Sequence, residues 1–300
     1  MSELIDSFLD YLRLERAYSP KTIGSYGIDL REFEAYIESV DDTLTLATVD
    51  ADVVRNWSMQ LMMNGRKATS VNRKLSALRS FYNYMVQEGK VNISPLQAVT
   101  GPKKKKPLPT FLREEEMNKL LDETSFPETW EGKRDRLILL MFYETGMRRA
   151  ELVGMNEGDV DFYRGQLKVT GKRNKQRLIP FGEELKTSLE EYIALKREEE
   201  IPCEDDAPLF VLKNGRRVTD QWVYGTVRKY LSLVTTLKKR SPHVLRHTFA
   251  TAMLNNNAEL EAVKELLGHA SVSTTQIYTH TTFEELKNVY STAHPREKKQ

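Results

Sequence analysis

Apolar residues recur at helical spacing through the first 90 residues of the chain. Positions three, four and seven residues apart lie on one face of an α-helix, so each such stripe predicts an amphipathic helix. The stripes belong to four segments: Leu4–Leu12, Ile23–Ile37, Val53–Met62 and Val71–Tyr82. The pattern therefore predicts a small helical domain over residues 1–93.

Cap residues mark where these helices begin and end. Ser19 followed by Pro20 is typical of an N-cap with proline in the first turn, and it predicts the start of the second helix. Asp50 or Asp52 is expected to cap the third helix. Gly65 suits the left-handed position that follows the end of that helix.

Prolines and four consecutive lysines set residues 94–109 apart from the segments on either side. Prolines keep a chain extended and like charges repel one another, so this segment is predicted to be a linker rather than part of a core. Its lysines are Lys103, Lys104, Lys105 and Lys106. The linker separates the helical domain from a second domain over residues 110–300.

Residues 110–300 are mainly helical in pattern, with one interruption. Helical stripes cover 113–123, 134–144, 183–197 and 221–234. Leu167 and Val169 alternate with polar residues, and Arg177–Phe181 follows across a polar loop, which predicts a β-hairpin. A last amphipathic segment, Phe283–Tyr290, is expected to dock on a neighbouring subunit or on its own chain. The fold class is therefore mainly α, a helical N-terminal domain plus an α-rich (α+β) domain with a small antiparallel sheet.

Charge is distributed unevenly along the chain, although its total is only +2. Residues 1–65 carry a net charge of −7, residues 66–106 carry +9, and residues 107–300 are neutral. A cationic block attracts polyanions such as the DNA backbone by electrostatic steering and counterion release. Arg73, Lys74 and Arg79 on the fourth helix, together with the linker lysines, are therefore candidate DNA contacts. The alternative is an ordinary solvated face.

Composition and run length exclude other classes of protein. With 40% apolar and 29% charged residues, the chain is too apolar for a disordered protein and too polar for a membrane protein. The longest apolar run, Leu137–Tyr143, is far shorter than the roughly 20 residues that span a bilayer. Cys203 is the single cysteine and the acidic start lacks the basic residues of a secretory signal, so a cytoplasmic protein is expected.

Arg148 and Lys172 are the first candidates for phosphate chemistry. Arg148 comes shortly after Gly146, at a predicted junction between two helices, where its guanidinium would lie beside helix N-terminal N–H groups and favour an oxyanion. Lys172 lies in the loop of the predicted hairpin, from which a long ammonium side chain can reach into a cleft. Most lysines in such loops are merely solvated.

His243, Arg246 and His247 belong to a helix that is predicted to start at Pro242. A spacing of three places His243 and Arg246 on one helical face. His243 and His247 also have the spacing of a zinc-binding helix, but Val244 replaces the glutamate of that motif and Arg246 would place a fixed cation near the metal. No metal site is therefore expected, and His247 is interpreted as a buried, hydrogen-bonded imidazole.

His269 and Tyr278 are the last candidates along the chain. His269 follows Gly268, which is predicted to end another helix, and Tyr278 comes nine residues later. A lone tyrosine is more often a core or surface aromatic than a nucleophile. The significance of these residues therefore depends on the order in which all the candidates occur.

That order resembles the tyrosine recombinase (phage integrase) family: Gly-Met-Arg with a glutamate three residues on, a hairpin lysine, His-x-x-Arg-His, Leu-Gly-His and Tyr-Thr-His. The matching segments lie between Thr145 and Tyr278. HVLRHTFAT, LLGHASVSTTQIYTH and the late His294-Pro295-Arg296 are most similar to the Xer-type site-specific recombinases. The resemblance implies an enzyme that cleaves and rejoins DNA strands through a 3′-phosphotyrosyl intermediate, with no metal or nucleotide cofactor.

The resemblance also implies a role for each candidate residue. Arg148 and Arg246 would bind the nonbridging phosphate oxygens, Lys172 would protonate the leaving 5′ oxygen, His243 would act as general acid and base, His269 would donate a hydrogen bond to the phosphate, and Tyr278 would be the nucleophile. Glu151, three residues after Arg148, is expected to pair with its guanidinium. Arg149 and Lys175 are the neighbouring alternatives to Arg148 and Lys172.

A nucleophilic tyrosine places a physical demand on such a site. A hydroxyl whose ordinary pKa is near 10 needs a base or an electropositive pocket, and two permanently charged guanidiniums can stabilise the charge that grows on the phosphate oxygens. Two arginines can therefore stand where other phosphoryl-transfer enzymes place a divalent metal.

The implied partners are double-stranded DNA with specific recombination sites, a tetramer of identical or different subunits on two duplexes, and a septal DNA translocase as activator. The implied role is chromosome dimer resolution and segregation by a cytoplasmic, nucleoid-associated protein with no membrane partner. The alternatives are a mobile-element integrase, a type IB topoisomerase-like enzyme, and a non-catalytic DNA-binding protein.

Overall fold

The computed structural model describes residues 3–103, 110–171, 174–201, 207–268 and 283–297. The chain divides into two compact units, Met1–Pro107 and Leu108–Gln300. Each unit has its own apolar core. The predicted mainly helical fold with a small antiparallel sheet is confirmed.

The first unit contains the helices α1 (Glu3–Leu14), α2 (Pro20–Val40), α3 (Ala51–Met63) and α4 (Ala68–Gln87). Their apolar stripes meet in a core rich in aromatic side chains, including Phe8, Phe33, Trp57, Phe81 and Tyr82. The hydroxyl group of the buried Tyr82 donates a hydrogen bond to the carbonyl oxygen of Leu46 at 2.9 Å.

The helix ends of this unit follow the cap residues of the sequence. Ser19 Oγ accepts the N–H of Thr22 at 3.3 Å, and Pro20 occupies the first turn of α2. Asp50, rather than Asp52, caps α3, because its Oδ1 accepts the N–H groups of the second and third helical residues at 2.9 and 3.0 Å. Gly65 follows the end of α3 with a φ of 76°.

The second unit is also mainly helical. Its helices are α5 (Glu114–Asn118), which continues as a π-helical turn (Lys119–Glu123), then α6 (Trp130–Thr145), α7 (Arg149–Gly154), α8 (Glu183–Glu198), α9 (Asp220–Val234), α10 (Pro242–Asn255), α11 (Leu260–Leu267) and α12 (Phe283–Ala293). All residues from Leu137 to Thr145 of α6 are buried, which explains the long apolar run, since a helix enclosed on every side is apolar all round. Among the described residues, each helix is too short or too polar to cross a bilayer.

The sheet of the second unit has three antiparallel strands, β1 (Val160–Asp161), β2 (Gln166–Thr170) and β3 (Gln176–Pro180). Leu167 pairs with Ile179 and Val169 pairs with Arg177. The predicted hairpin is therefore present. Strand β1 was not predicted, because two residues are too few to show an alternation.

Helix α12 docks on its own unit. The Tyr290 hydroxyl group donates to Glu144 Oε2 at 3.1 Å, and the ring of the buried His294 stacks on Tyr290 with 5.2 Å between centroids. Arg296, just beyond the helix, forms ion pairs with Asp122 and Glu184. In the single chain the helix packs on its own unit, and docking on a neighbouring subunit of an assembly stays a prediction.

Candidate active site

Arg148 lies at a junction between α6 and α7. Gly146 ends α6 with a φ of 56°, in the left-handed region that glycine adopts without strain. Arg148 then forms the N-cap of α7. Its backbone N–H donates to Glu151 Oε2 at 2.7 Å, so a carboxylate of the chain occupies this donor, where the sequence predicted an incoming oxyanion.

Glu151 is the buried acceptor at the centre of the site, with 2% of its side chain exposed. Its carboxylate accepts four hydrogen bonds, two from Arg148 (N at 2.7 Å, Nη1 at 2.8 Å) and two from Arg177 (Nη1 at 2.8 Å, Nη2 at 2.9 Å). Burial by itself raises the pKa of Glu151, but the hydrogen bonds and charges of Arg177 and Arg148 outweigh burial and lower the pKa below its ordinary value. Glu151 is therefore an ionised anchor for two guanidiniums.

The C-terminal end of α11 gathers three arginines. Three consecutive carbonyl oxygens each accept one hydrogen bond from a guanidinium: Leu266 from Arg177 Nε at 2.9 Å, Leu267 from Arg246 Nη2 at 2.7 Å, and Gly268 from Arg148 Nη2 at 2.8 Å. Cations are favoured at this end of a helix because the last carbonyls carry the negative end of its dipole. The end of α11 thus acts as a template for a cluster of positive charge.

Arg246 connects this cluster to the core of the unit. The residue is buried, and its Nη1 donates to the carbonyl oxygen of Gly146 at 2.6 Å. Burial and the neighbouring Arg148 lower the pKa of Arg246 to about 10. The guanidinium therefore remains charged at neutral pH.

His243 lies one turn before Arg246 on α10 and is exposed. Partial desolvation, followed by the cations Lys239, Arg149 and Arg246, lowers the pKa of His243. The lowered pKa favours the neutral imidazole, which is the form that can accept a proton. His247 is also exposed, so its interpretation as a buried imidazole is wrong: α10 buries Val244, Leu245, Thr248 and Phe249 instead.

Arg149 pairs with residues outside the cluster. Its guanidinium donates to both carboxylate oxygens of Asp220, at 3.1 and 3.0 Å, and lies over the ring of Tyr224. Of the two adjacent arginines, Arg148 is the one that contacts Glu151 and the end of α11.

Lys172, His269 and Tyr278 lie outside the described residues. The glycines that precede the first two in the sequence both contact the cluster. A Cβ atom added at Gly171 would come 3.2 Å from Glu151 Oε1, and the carbonyl oxygen of Gly268 accepts from Arg148. The assignments of Lys172, His269 and Tyr278 stay predictions.

Arg177 is a member of the cluster that the sequence patterns did not single out. It stands on β3 two residues before the buried Ile179, so the two side chains share a face of the strand. The alternation along the predicted hairpin therefore contained a signal, an arginine on the inward face.

The candidate DNA contacts of the first unit are partly engaged within it. Arg73 donates to Ser25 Oγ at 2.6 Å and to Asp29 Oδ1 at 2.9 Å. Lys74 is buried, and its ammonium group lies 3.0 Å from Asp29 Oδ1 and 2.5 Å from Glu32 Oε2. Acidic groups of α2 thus neutralise part of the cationic block.

The other candidates of this group differ in exposure. Arg79 donates to the carbonyl oxygen of Val99 at 2.8 Å, and Lys103 is exposed. Lys104, Lys105 and Lys106 lie outside the described residues. Contacts of these side chains with DNA stay predictions.

The protein is mainly helical and has two units. In the second unit, the guanidiniums of Arg148, Arg177 and Arg246 come from distant segments and meet at the C-terminal end of α11. Residues 110–285 match the phage integrase family, and residues 5–89 match the N-terminal SAM-like domain of phage integrases. The chain belongs to the phage integrase family of tyrosine recombinases, enzymes that transfer DNA strands with a tyrosine nucleophile.

Relatives and solved structures agree with this family. The chain is 38% identical to tyrosine recombinase XerC of Thermodesulfovibrio yellowstonii (98% of this chain, 97% of the relative) and 39% identical to XerC of Staphylococcus aureus (100% and 99%). Its fold is similar to XerH recombinase bound to a palindromic difH substrate (TM-score 0.73, 21% identity, 97% of this chain, 82% of that chain). It is also similar to the Tn1549 transposon integrase in complex with transposon right end DNA (TM-score 0.73, 18% identity, 95% and 97%).

Proposed function

We propose that this tyrosine recombinase cleaves and rejoins double-stranded DNA at specific sites, and that it serves chromosome dimer resolution and segregation. The observation that carries the proposal is the meeting of Arg148 and Arg246 at neighbouring carbonyl oxygens of the end of α11. In the described part of the site, three guanidiniums accompany the carboxylate of Glu151, so positive charge is in excess near the exposed His243. Such a surface suits a phosphodiester, whose nonbridging oxygens accept charge-assisted hydrogen bonds.

In the first step, the Tyr278 hydroxyl group attacks the scissile phosphorus. His243 takes the phenolic proton, an O–P bond forms to the tyrosine, and the bond from phosphorus to the 5′ oxygen breaks as Lys172 protonates the leaving group. Arg148, Arg246 and His269 stabilise the charge on the nonbridging oxygens. A single preorganised donor of this kind is typically worth about 10²–10³ in rate.

In the second step, the free 5′ hydroxyl group of the partner strand attacks the 3′-phosphotyrosyl bond and releases the tyrosine. One phosphate ester is exchanged for another in each step, so the energy of the phosphodiester is retained and no ATP is consumed. Recombination of two duplexes requires four cleavages, which supports a tetramer of this chain, alone or with a second kind of subunit.

The 38–39% identity to XerC proteins over nearly the full length supports the chromosomal role. A septal DNA translocase as activator is part of the same proposal. The similarity to the Tn1549 transposon integrase keeps a mobile-element integrase as the second candidate. XerH and the Tn1549 integrase have the same TM-score to this chain, so the fold does not distinguish the two roles. The sequence of the target DNA has to distinguish them.

The chemistry is tested with nicked suicide substrates that carry candidate sites. We expect a covalent protein–DNA adduct in which the tryptic peptide containing Tyr278 bears the DNA, and no adduct with Tyr278→Phe. Tyr163→Phe is the matched control, because Tyr163 is an almost fully exposed tyrosine of the same unit and the variant should cleave as the wild type does.

Three other results would contradict the proposal. An adduct that persists in Tyr278→Phe would exclude the assigned nucleophile. Relaxation of plasmids that lack any site would favour the topoisomerase-like alternative, and binding without cleavage under all conditions would favour the non-catalytic one. Recombination assays on chromosomal sites and on mobile-element ends distinguish the two roles. We expect recombination between chromosomal sites, and recombination only between mobile-element ends would favour the integrase role.

A further inference from the structure

We propose that Arg177 is a positioning residue for strand cleavage, acting through Glu151 and the end of α11 on Arg148. The inference rests on the proposed function. It concerns a side chain that is 15% exposed and is held by three hydrogen bonds from one guanidinium.

Arg177 ties three elements together with one rigid group. From β3, its Nη1 and Nη2 form a two-pronged pair with the carboxylate of Glu151 on α7, while its Nε donates to the carbonyl oxygen of Leu266 on α11. A planar guanidinium presents its donors in a fixed fork, so this arrangement sets the orientation of Glu151 as well as its distance. A lysine has one ammonium group and cannot reproduce the fork.

The orientation of Glu151 matters because the same carboxylate holds Arg148. The two carboxylate oxygens offer about four acceptor positions, and Arg148 and Arg177 use all four with two hydrogen bonds each. If Arg177 were absent, Glu151 would be free to turn and pair fully with Arg148. The guanidinium of Arg148 would then be drawn to Glu151 and away from a phosphate.

Arg177 also maintains the charge of the cluster. Among the described residues of the cluster, three guanidiniums accompany the carboxylate of Glu151, which gives an excess of two positive charges when Arg177 is present. Without it, the excess falls to one. Since the reacting phosphate gains negative charge in the transition state, removing this charge affects the chemical step more than the binding of DNA along its whole backbone.

The end of α11 rests directly on this side chain. A Cβ atom added at Gly268 would come 3.0 to 3.1 Å from Nη1, Cδ and Cζ of Arg177. Gly268 is the residue whose carbonyl oxygen accepts from Arg148, and it precedes His269 in the chain. Arg177 therefore supports Arg148 from two sides, through Glu151 and through α11.

The test compares Arg177→Lys and Arg177→Gln with the wild type on a nicked suicide substrate at saturating protein. We expect the first-order rate of adduct formation to fall at least tenfold in both variants, since a misplacement of about 1 Å can cost a factor of 10². The dissociation constant for the uncleaved site should change less than about threefold, because most of the affinity for DNA comes from the rest of the backbone. Arg197→Gln is the matched control, because it removes one charge from an exposed arginine of the same unit and should leave both values unchanged.

Saturation of the DNA separates positioning from misfolding. While folded protein still saturates the substrate, an unfolded fraction leaves the first-order rate constant unchanged, whereas a misplaced Arg148 lowers it. In addition, Glu151→Gln combined with Arg177→Gln should cost less than the product of the two single effects, because both act on Arg148 through one contact.

Several results would overturn the inference while leaving the proposed function intact. These are a wild-type rate constant in Arg177→Lys, a decrease in DNA affinity as large as the decrease in rate, and multiplicative effects of the two substitutions. If the wild type itself forms no adduct at Tyr278, the proposed function fails instead.

Discussion

Gly146→Ala should destabilise the second unit because both the backbone and the space at this position require glycine. The φ of 56° lies in the left-handed region, which costs a residue with a Cβ about 1–2 kcal/mol. The added Cβ would also overlap the ring of Phe249 and come 2.8 Å from Leu267 Cδ2. Overpacking of a core costs about 1–3 kcal/mol, so the free energy of unfolding should fall by about 2–5 kcal/mol in total.

The same substitution at Gly225 provides the control. Gly225 lies inside α9, and a Cβ there would meet no atom within 4 Å. Alanine in a helix interior is favoured over glycine by about 0.5–1 kcal/mol, so Gly225→Ala should be neutral or stabilising. Urea unfolding is followed by tryptophan fluorescence in a Trp57→Phe background, so that the signal comes from Trp130 and Trp222 of the second unit.

Gly146→Ala should also lower the rate of adduct formation. The carbonyl oxygen of Gly146 accepts from Arg246 Nη1 at 2.6 Å, so a shifted backbone would displace a guanidinium of the site. An unfolding midpoint for Gly146→Ala equal to or above that of Gly225→Ala would refute the reasoning, because the left-handed backbone and the overlap would then carry no cost.

Three further predictions concern charge. Burial, together with Glu184 and Glu297, raises the pKa of Glu144 from 4.5 to about 8, so the folded state holds a proton that the unfolded state has lost. The free energy of unfolding should therefore fall by up to ~1.4 kcal/mol per pH unit as the pH rises from about 4.5 through 8. Glu144→Gln should flatten this slope in urea titrations. Lys74→Met should lower the free energy of unfolding of the first unit by about 1–3 kcal/mol. It should leave the salt dependence of DNA binding unchanged, because the ammonium group of Lys74 is paired with Asp29 and Glu32. A smaller dependence on salt would instead support the DNA contact predicted from the sequence. Replacing Lys103–Lys106 with alanine should reduce the slope of this salt dependence by about 0.9 for each phosphate that these lysines neutralise, and an unchanged slope would exclude the linker from the interface.

Local sequence patterns could not predict the contacts between distant segments of the chain. The spacing of charges on a helix cannot show whether a lysine is exposed, and the partners that bury Lys74 lie more than 40 residues earlier, on α2. The position after Gly-Met favoured Arg148 over Arg149, but only the structure shows that Arg149 pairs with Asp220 of α9 instead. The pattern of the terminal helix did not show which surface of its own unit it packs on, and the structure places Tyr290 against Glu144.

The amino-acid sequence by itself determined the main helices, the caps at Ser19, Gly146 and Gly268, and the hairpin, because helical spacing, strand alternation and capping act over a few residues. The order of the candidate catalytic motifs between Thr145 and Tyr278 was also enough to indicate the tyrosine recombinase family. Only the tertiary structure decided that Arg177 joins Arg148 and Arg246 at one helix end. Such a cluster depends on how β3, α7 and α11 pack, and contacts between residues 89 and 120 positions apart leave no periodic pattern in the sequence.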